Sequence, residues 1–424
     1  MTLSWAVFFL MMLLSVIILA HGLLARGRFF EFPFLAGSIF LVFVMPQMPG
    51  IINNAFMSQS AIVKTLFFSI LCLVACWVGW ALGLRGRDMQ DVVFSEQRLH
   101  RVALVLSLIG AYFFYKIGHM PKDQALAGML TGIAVAYLFF AKLLPYGFAI
   151  ALLCHARRPT RMTLGIILFD LMFYFERIVI AGRRNETAEF FLMIALALWF
   201  QRGWAVPRSA VVGGLVFALV GSLAAGDYRN ATVYNEKADF GAVLNIDLVG
   251  NWNKLLNEGG PEMTNAIMAI ENIDEYKSFD FGIGHWNSTV FTFIPAQIVG
   301  AALKESLYIP VDSIFQSGYD RPTGSTSTGM ADAFHSFWYF GFVKFLLFAW
   351  LLARIYSAAM KGNTMMQLIY MLSVVPSMLA ITHFTNEIVI AWIHAAAFLT
   401  PAYLYARVRN PPFPKFIPRV GVAG

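Results

Sequence analysis

Stretches of roughly 18 or more apolar residues recur from one end of this chain to the other, and each is long enough to cross a hydrocarbon core of about 30 Å as a helix. Lipid offers the backbone no hydrogen-bond partners. A crossing segment must therefore satisfy its own amides, and a helix does so within itself. The apolar stretches lie near 3–24, 32–52, 61–83, 100–118, 126–154, 162–181, 186–201, 208–225, 333–355, 365–384 and 388–407. They predict an all-α polytopic membrane protein, with about eleven transmembrane helices of this length. The stretch at 126–154 is long, and Pro145 is placed to kink it.

Charge is scarce and its placement is informative. Charged residues make up 13% of the 424 residues, about half of the roughly 25% usual in a soluble domain. The net charge of +7 is spread in small groups between apolar runs, which argues for membrane topology and against nucleic acid. Alternate connections hold Arg26 and Arg28; Arg85, Arg87 and Arg98; Arg157, Arg158 and Arg161; Arg202; Arg354 and Lys361; and Arg407, Arg409, Lys415 and Arg419. The positive-inside rule puts these connections in the cytoplasm. The N-terminus then lies outside and the C-terminus inside. The chain divides into residues 1–225 with the first eight spans, a large extracytoplasmic loop at 226–332, and 333–424 with the last three spans and a cytoplasmic tail. Residues 1–24 have no basic start and no small-residue cleavage site, so they read as a retained span. Cys72 and Cys76 lie four apart on one apolar helix and Cys154 on another, as buried small residues would.

The loop is itself partly apolar. Phe240, Val243, Leu244, Leu248, Trp252, Leu255 and Leu256 recur at helical spacing, and 286–303 is a further apolar run. Helices lying on the membrane or roofing a cavity would read this way. A true span at 286–303 would invert everything after it, and Arg354 and the basic C-terminus weigh against that.

Two constellations carry possible chemistry. At the outer end of the sixth span stand Glu176, Arg177, Gly182, Arg183, Arg184 and Glu186. Arg177 lies about a turn and a half inside the boundary, where a charge usually faces a polar cavity and a partner. Arg177 and Arg184 share a helix face if the helix continues, while Arg183 points elsewhere; the simpler reading is a structural Glu176–Arg177 pair. The second constellation runs from Gly318 to Gly329, with Arg321, Thr323, Ser325 and Ser327, and leads to Asp332 and His335. Glycines and hydroxyls before a helix N-terminus suit an anion, and Arg321 would be its bidentate partner. The simpler reading is a turn with Asp332 as helix cap. Arg229, after Asp227 and Tyr228, and His285, after Gly282 and Gly284, are further candidates for substrate binding. His383, Asn386 and Glu387 occupy the last outer loop, and His394 reads as a core histidine. No residue spacing suggests a metal, and no nucleotide-binding loop is present, so no cofactor is expected.

At 331–345 the run Ala-Asp-Ala-Phe-His-Ser-Phe-Trp-Tyr-Phe-Gly-Phe-Val-Lys-Phe resembles the E-x-x-x-N-F-G-x-x-G signature of O-antigen polymerases, the Wzy-type oligosaccharide repeat-unit polymerases. The lead-in at 324–329 and the arginine element Gly182-Arg183-Arg184 are similar as well, as is the plan of many spans with one large outer loop before the last few. The family's acidic residue is His335 here, its asparagine is Tyr339 and its second glycine is Lys344. A histidine near this loop also resembles the sister O-antigen ligases. The resemblance implies a GT-C-like membrane glycosyltransferase of the bacterial inner membrane, independent of metal. Its substrates would be undecaprenyl-pyrophosphate-linked oligosaccharides, and its partner a polysaccharide chain-length regulator. His335 would be the base, with Asp332 orienting it or taking that role. Arg177 and Arg184 would stabilise the departing pyrophosphate, with Arg183, Arg229, Arg321, Ser325, Ser327 and His285 on the substrate. The rival readings are a ligase and a transporter of lipid-linked glycans. A transporter tends to show an internal repeat and broken helices at the midplane, and the sequence displays neither.

The topology is open to chemical labelling. A cysteine placed at Lys254 is expected to react with a membrane-impermeant maleimide in intact cells, and one at Lys361 only after lysis. The reverse pattern would invert the chain.

Overall fold

The structure is a computed structural model, and it describes residues 2–86, 92–120, 133–234, 239–315, 319–322 and 324–408. The start of the 126–154 stretch lies outside these residues, as do Arg87, Gly318, Thr323, Arg409, Lys415 and Arg419.

The described residues fold as helices with no strand; a single bridge joins Phe94 to Arg407. Nine helices among them are long and apolar enough to cross a membrane. They are α1 (Leu3–Leu24), α2 (Phe32–Asn53), α3 (Gln59–Leu84), α4 (Glu96–Gly118), the pair α5 (Ile133–Ala141) and α6 (Leu143–Arg157), α9 (Arg208–Arg229, extended to Val233), the pair α13 (Thr328–Phe337) and α14 (Phe342–Met360), α15 (Thr364–Thr382) and α16 (Asn386–Ala406). The expected spans at 162–181 and 186–201 fall short of that standard. Here α7 (Arg161–Phe175) has 15 residues before a π turn at Glu176–Ile180, and α8 (Arg184–Arg202) carries Arg184, Glu186 and Glu189 in its first turns. The break between α5 and α6 falls at Lys142, beside the carbonyl of Ala141 that Pro145 leaves without a donor. The 286–303 run is divided among Ile283–Phe293 (α12), Ala296–Val299 and Ala301–Ser306, each too short to cross. With α10 (Leu248–Glu258) and α11 (Pro261–Tyr276), α12 belongs to the large loop.

The helix ends sort into two sets. At one, Arg208 donates to Leu24 O (2.8 Å), Arg202 to Ala156 O (2.8 Å), Arg157 to Thr364 Oγ1 (2.9 Å) and Arg98 to Tyr405 O (3.1 Å). Three of these four, those of Arg208, Arg202 and Arg98, answer helix C-terminal carbonyls whose partial charge is negative. At the other set, Ser4 bonds Gln59, Lys64 pairs with Asp274, Tyr228 donates to Val179 O, and Asn251 donates to Asp227. The connections read as cytoplasmic therefore gather at one end of the bundle and the candidate residues at the other.

Close approach between α3 and α14 sets the centre. A Cβ on Gly79 would lie 2.2 Å from Leu346 O, and one on Gly83 2.4 Å from Trp350 O, the small-residue contact by which helices pack in lipid. By contrast α9 buries only Ala225 along its length. Replacing Gly79 with Val should push α3 off the α14 backbone. The expected cost is about 1–3 kcal/mol, read as a lower thermal unfolding midpoint in detergent; an unchanged midpoint would mean that the seam is slack.

Candidate active site

The expected ninth span, 333–355, is two helices. Thr328 (φ 67°) opens α13, and Trp338 (φ 53°) breaks it from α14. Glycines let this short helix sink among its neighbours: a Cβ on Gly329 would lie 1.7 Å from Ala380 O, and one on Gly341 2.0 Å from Ala333 O. His335 is buried as a result, only 7% exposed.

The carboxylate that meets His335 is Asp280, at 3.7 Å from Nδ1. Asp332, expected to orient the imidazole, is engaged elsewhere. Asp280 is itself buried and accepts hydrogen bonds from the amides of Gly282 and Gly284, both at 2.9 Å, while its own amide donates to His335 O at 3.1 Å. Burial pushes its pKa up, but the two amides and His335 more than offset this and hold it below the usual carboxylate range. Both glycines are needed. Gly282 is left-handed (φ 88°), and a Cβ on Gly284 would meet Asp280 Oδ2 at 2.7 Å.

A second network centres on Thr385. Asp332 Oδ2 accepts from the Thr385 amide (2.9 Å) and also from its hydroxyl. The Lys344 ammonium donates to Ser336 Oγ (2.6 Å) and Thr385 Oγ1 (3.2 Å) and lies 3.9 Å from Asp332. His285 Nε2 is 2.9 Å from the same Thr385 oxygen. A hydroxyl has one proton, and it goes to Asp332, so His285 must donate from Nε2. Its Nδ1 lone pair is then left buried with no partner. Burial, followed by the Lys344 charge, lowers the pKa of His285, which is neutral at pH 7.

The arginines divide. The π turn and left-handed Gly182 (φ 58°) end the helix, so Arg177 and Arg184 do not share a face as expected. Arg177 forms a bidentate pair with Glu186, not Glu176, and lies 4.6 Å from the Phe114 ring. Arg183 and Arg184 are exposed. Arg184 interacts electrostatically with Arg229 and Glu262, and His383 feels Arg184 in turn. Gly182 packs against Tyr228 and Arg229, which brings the end of α9 to the start of α8.

The Gly/Ser loop is not an open anion cradle. Ser325 (7% exposed) donates to Pro322 O and accepts from Asn265, and Ser327 is fully buried. Thr326 donates to Thr382 O at 2.7 Å. The loop therefore latches α11 to the end of α15 with its hydroxyls turned inward. Arg321 stays exposed beside it, and Asp332 makes no cap to the α13 N-terminus. One short turn, Thr382–Asn386, joins the groups: His383 interacts electrostatically with Arg184, and Thr385 holds Asp332 and His285.

Sequence reasoning missed Asp280, Ser336, Lys344 and Thr385. The aspartate preceding Gly-x-Gly was one available signal, and a lysine within an apolar span was another. Set against known proteins, the chain matches no family model, no curated protein and no solved structure.

The buried histidines make stability depend on pH. His285 and His383 both have a folded pKa below the unfolded value of about 6.5. Below that value the unfolded chain binds more protons, so stability falls as pH drops. Because His285→Gln lacks its share of this loss, lowering the pH from 7.5 to 5.5 should cost the variant less thermal midpoint than it costs the wild type.

Proposed function

We propose that this chain polymerises undecaprenyl-pyrophosphate-linked oligosaccharide repeat units into a surface polysaccharide, such as O-antigen, capsule or exopolysaccharide, at the outer face of the bacterial inner membrane. The observation that carries this reading is the His335–Asp280 pair and the unpartnered His285 Nδ1, bound through Thr385 to the turn whose His383 interacts electrostatically with Arg184, itself a neighbour of Arg229. The signature-like run at 331–345 supports it through Phe340 and Gly341, which match its Phe-Gly, while His335 and Lys344 depart from it. We include in the proposal eleven spans, with α7 and α8 crossing beside the nine, a GT-C-like arrangement, the N-terminus outside and the C-terminus inside.

In this mechanism a sugar hydroxyl of the incoming repeat unit attacks the anomeric carbon of the growing chain. The new glycosidic C–O bond forms as the bond to the pyrophosphate oxygen breaks, and undecaprenyl pyrophosphate leaves with the electron pair. The hydroxyl proton passes to His335, whose imidazolium Asp280 stabilises. Arg184 and Arg229 answer the charge that develops on the pyrophosphate. Arg177, held by Glu186, fastens the outer ends of α7 and α8 together. The histidine at the family's acidic position favours a second reading, transfer of the finished glycan to another acceptor as in the ligases.

Purified protein given lipid-linked repeat unit in detergent distinguishes them on a gel. A ladder is expected; product only on a lipid core would mean a ligase, and unchanged substrate would remove both readings. On the same gel His335→Gln should lower turnover about a hundredfold, and Arg184→Ala and Arg229→Ala should each lower it. Arg177→Ala should reduce folded yield before it reduces turnover. Near-normal His335→Gln with an inactive His285→Gln would move the base to His285.

A further inference from the structure

At the same end of the bundle as the candidate site, a cavity of about 480 Å³ opens between the first turns of α1 and α3. That is the size of a small-ligand pocket, roughly 300–1,000 Å³. Its polar lining comes from Thr2, Ser4, Gln59, Ser60 and Lys64. Its apolar lining comes from Leu3, Val63 and Phe67, with the ring of Tyr339. Ser4 Oγ donates to Gln59 Oε1 at 2.6 Å and ties the two helices together there. Leu3 and Phe67 are 67% and 48% exposed, on helices long and apolar enough to cross a membrane. The cavity therefore borders acyl chains as well as water.

Lys64 gives this cavity its sign. The ammonium pairs with Asp274 of α11, which takes one of its three N–H bonds. Asp274 is supplied from elsewhere as well, since its Oδ1 accepts from Lys277 at 2.7 Å and from Trp338 Nε1 at 3.0 Å. Burial raises the Asp274 pKa, but the hydrogen bonds from Lys277 and Lys64 outweigh this and hold it at about 2. Two ammoniums against one carboxylate leave this edge net positive. The first amides of α1 and α3 add to that sign, because no carbonyl within their own helix answers them, and Thr2 gives α1 no side-chain cap.

A cavity with a cationic edge and an apolar wall suits an anion that carries a hydrocarbon tail. We propose that it binds a lipid phosphate. The phosphate oxygens accept from Lys64 and from the hydroxyls beside it, and the first part of the chain lies on Leu3, Val63 and Phe67. A lysine at the membrane surface answers lipid phosphates in this way. A soluble phosphate would leave the apolar wall bare, and an uncharged sugar would leave the ammonium unanswered. Tyr339 belongs to the turn between α13 and α14, and its ring meets Phe334 at 5.4 Å. The lipid thus rests against the helix that carries His335. No residue of the cavity takes part in the proposed reaction, so the site stands apart from the polymerase reading.

Native mass spectrometry of the full chain in detergent tests this with three probes: phosphatidylglycerol, undecaprenyl phosphate and uncharged diacylglycerol. One phosphate lipid per chain should be retained in preference to diacylglycerol. Lys64→Gln should weaken that binding about tenfold or more, the loss of one hydrogen bond to a charged group. Val63→Trp, which fills the cavity and keeps the Lys64–Asp274 pair, should weaken it as much. If Lys64→Gln elutes as aggregate, Val63→Trp decides alone. Phosphatidylglycerol held at least as tightly as undecaprenyl phosphate identifies a bilayer lipid, and the reverse order a polyprenyl one; either supports the site. Retention of no lipid, equal retention of diacylglycerol, or wild-type binding by either folded variant overturns it.

Discussion

A bundle in lipid can hold a polar group only where another polar group answers it, and at the candidate site that condition comes down to the single proton of the Thr385 hydroxyl. Given to Asp332, it obliges His285 to donate from Nε2 and leaves Nδ1 as an acceptor. The Lys344 ammonium can reach the same oxygen because a hydroxyl accepts twice. One β-branched residue in a turn of a few residues therefore sets the tautomer of a histidine, the position of a carboxylate and the reach of a lysine. Its backbone is held in turn by the Asp332 carboxylate.

The architecture was legible because its cause is local. Twenty apolar residues in a row form a helix in lipid whatever surrounds them, and alternating basic loops reveal which ends belong together. The basic ends do meet, through arginines placed on helix C-terminal carbonyls. What stayed hidden depended on where a helix stops. Seven residues separate Arg177 from Arg184, a spacing that puts them on one face only while the helix lasts, and a π turn with left-handed Gly182 ends it between them. The serines at 325 and 327 sit in a sequence that looks open, yet Asn265 on another helix draws the loop inward. Asp280 meets His335 across 55 residues of chain, and no local pattern encodes such a meeting. Only its Gly282-Ile283-Gly284 neighbourhood, which lets two amides reach the carboxylate, leaves a trace in the sequence.

The two positions at which the 331–345 run differs in charge from the signature it resembles, 335 and 344, both lie in the ion networks. An acid at 335 or a glycine at 344, as in that signature, would behave differently beside Asp280 and Asp332. A second acid at 335 would face Asp280 at close range and force one of the two to keep its proton. A glycine at 344 would leave Asp332 and Ser336 without their cation. Each of the two side chains suits the carboxylate opposite it.

The sparsely packed α9 has a bearing on how this protein sits in its surroundings. It is tied at its first turn by Arg208 to Leu24 and at its far end by Tyr228 and Asn251, and between them it buries almost nothing. Acyl chains must cover the rest. A helix anchored at two ends and wetted by lipid along its flank takes its tilt from bilayer thickness, because hydrophobic mismatch is relieved by tilting. Arg229 rides on the end of that helix, whereas Arg184 belongs to the packed bundle. The spacing of the two guanidinium groups is in this sense a property of the membrane as much as of the chain, and lipid composition becomes a variable of the site.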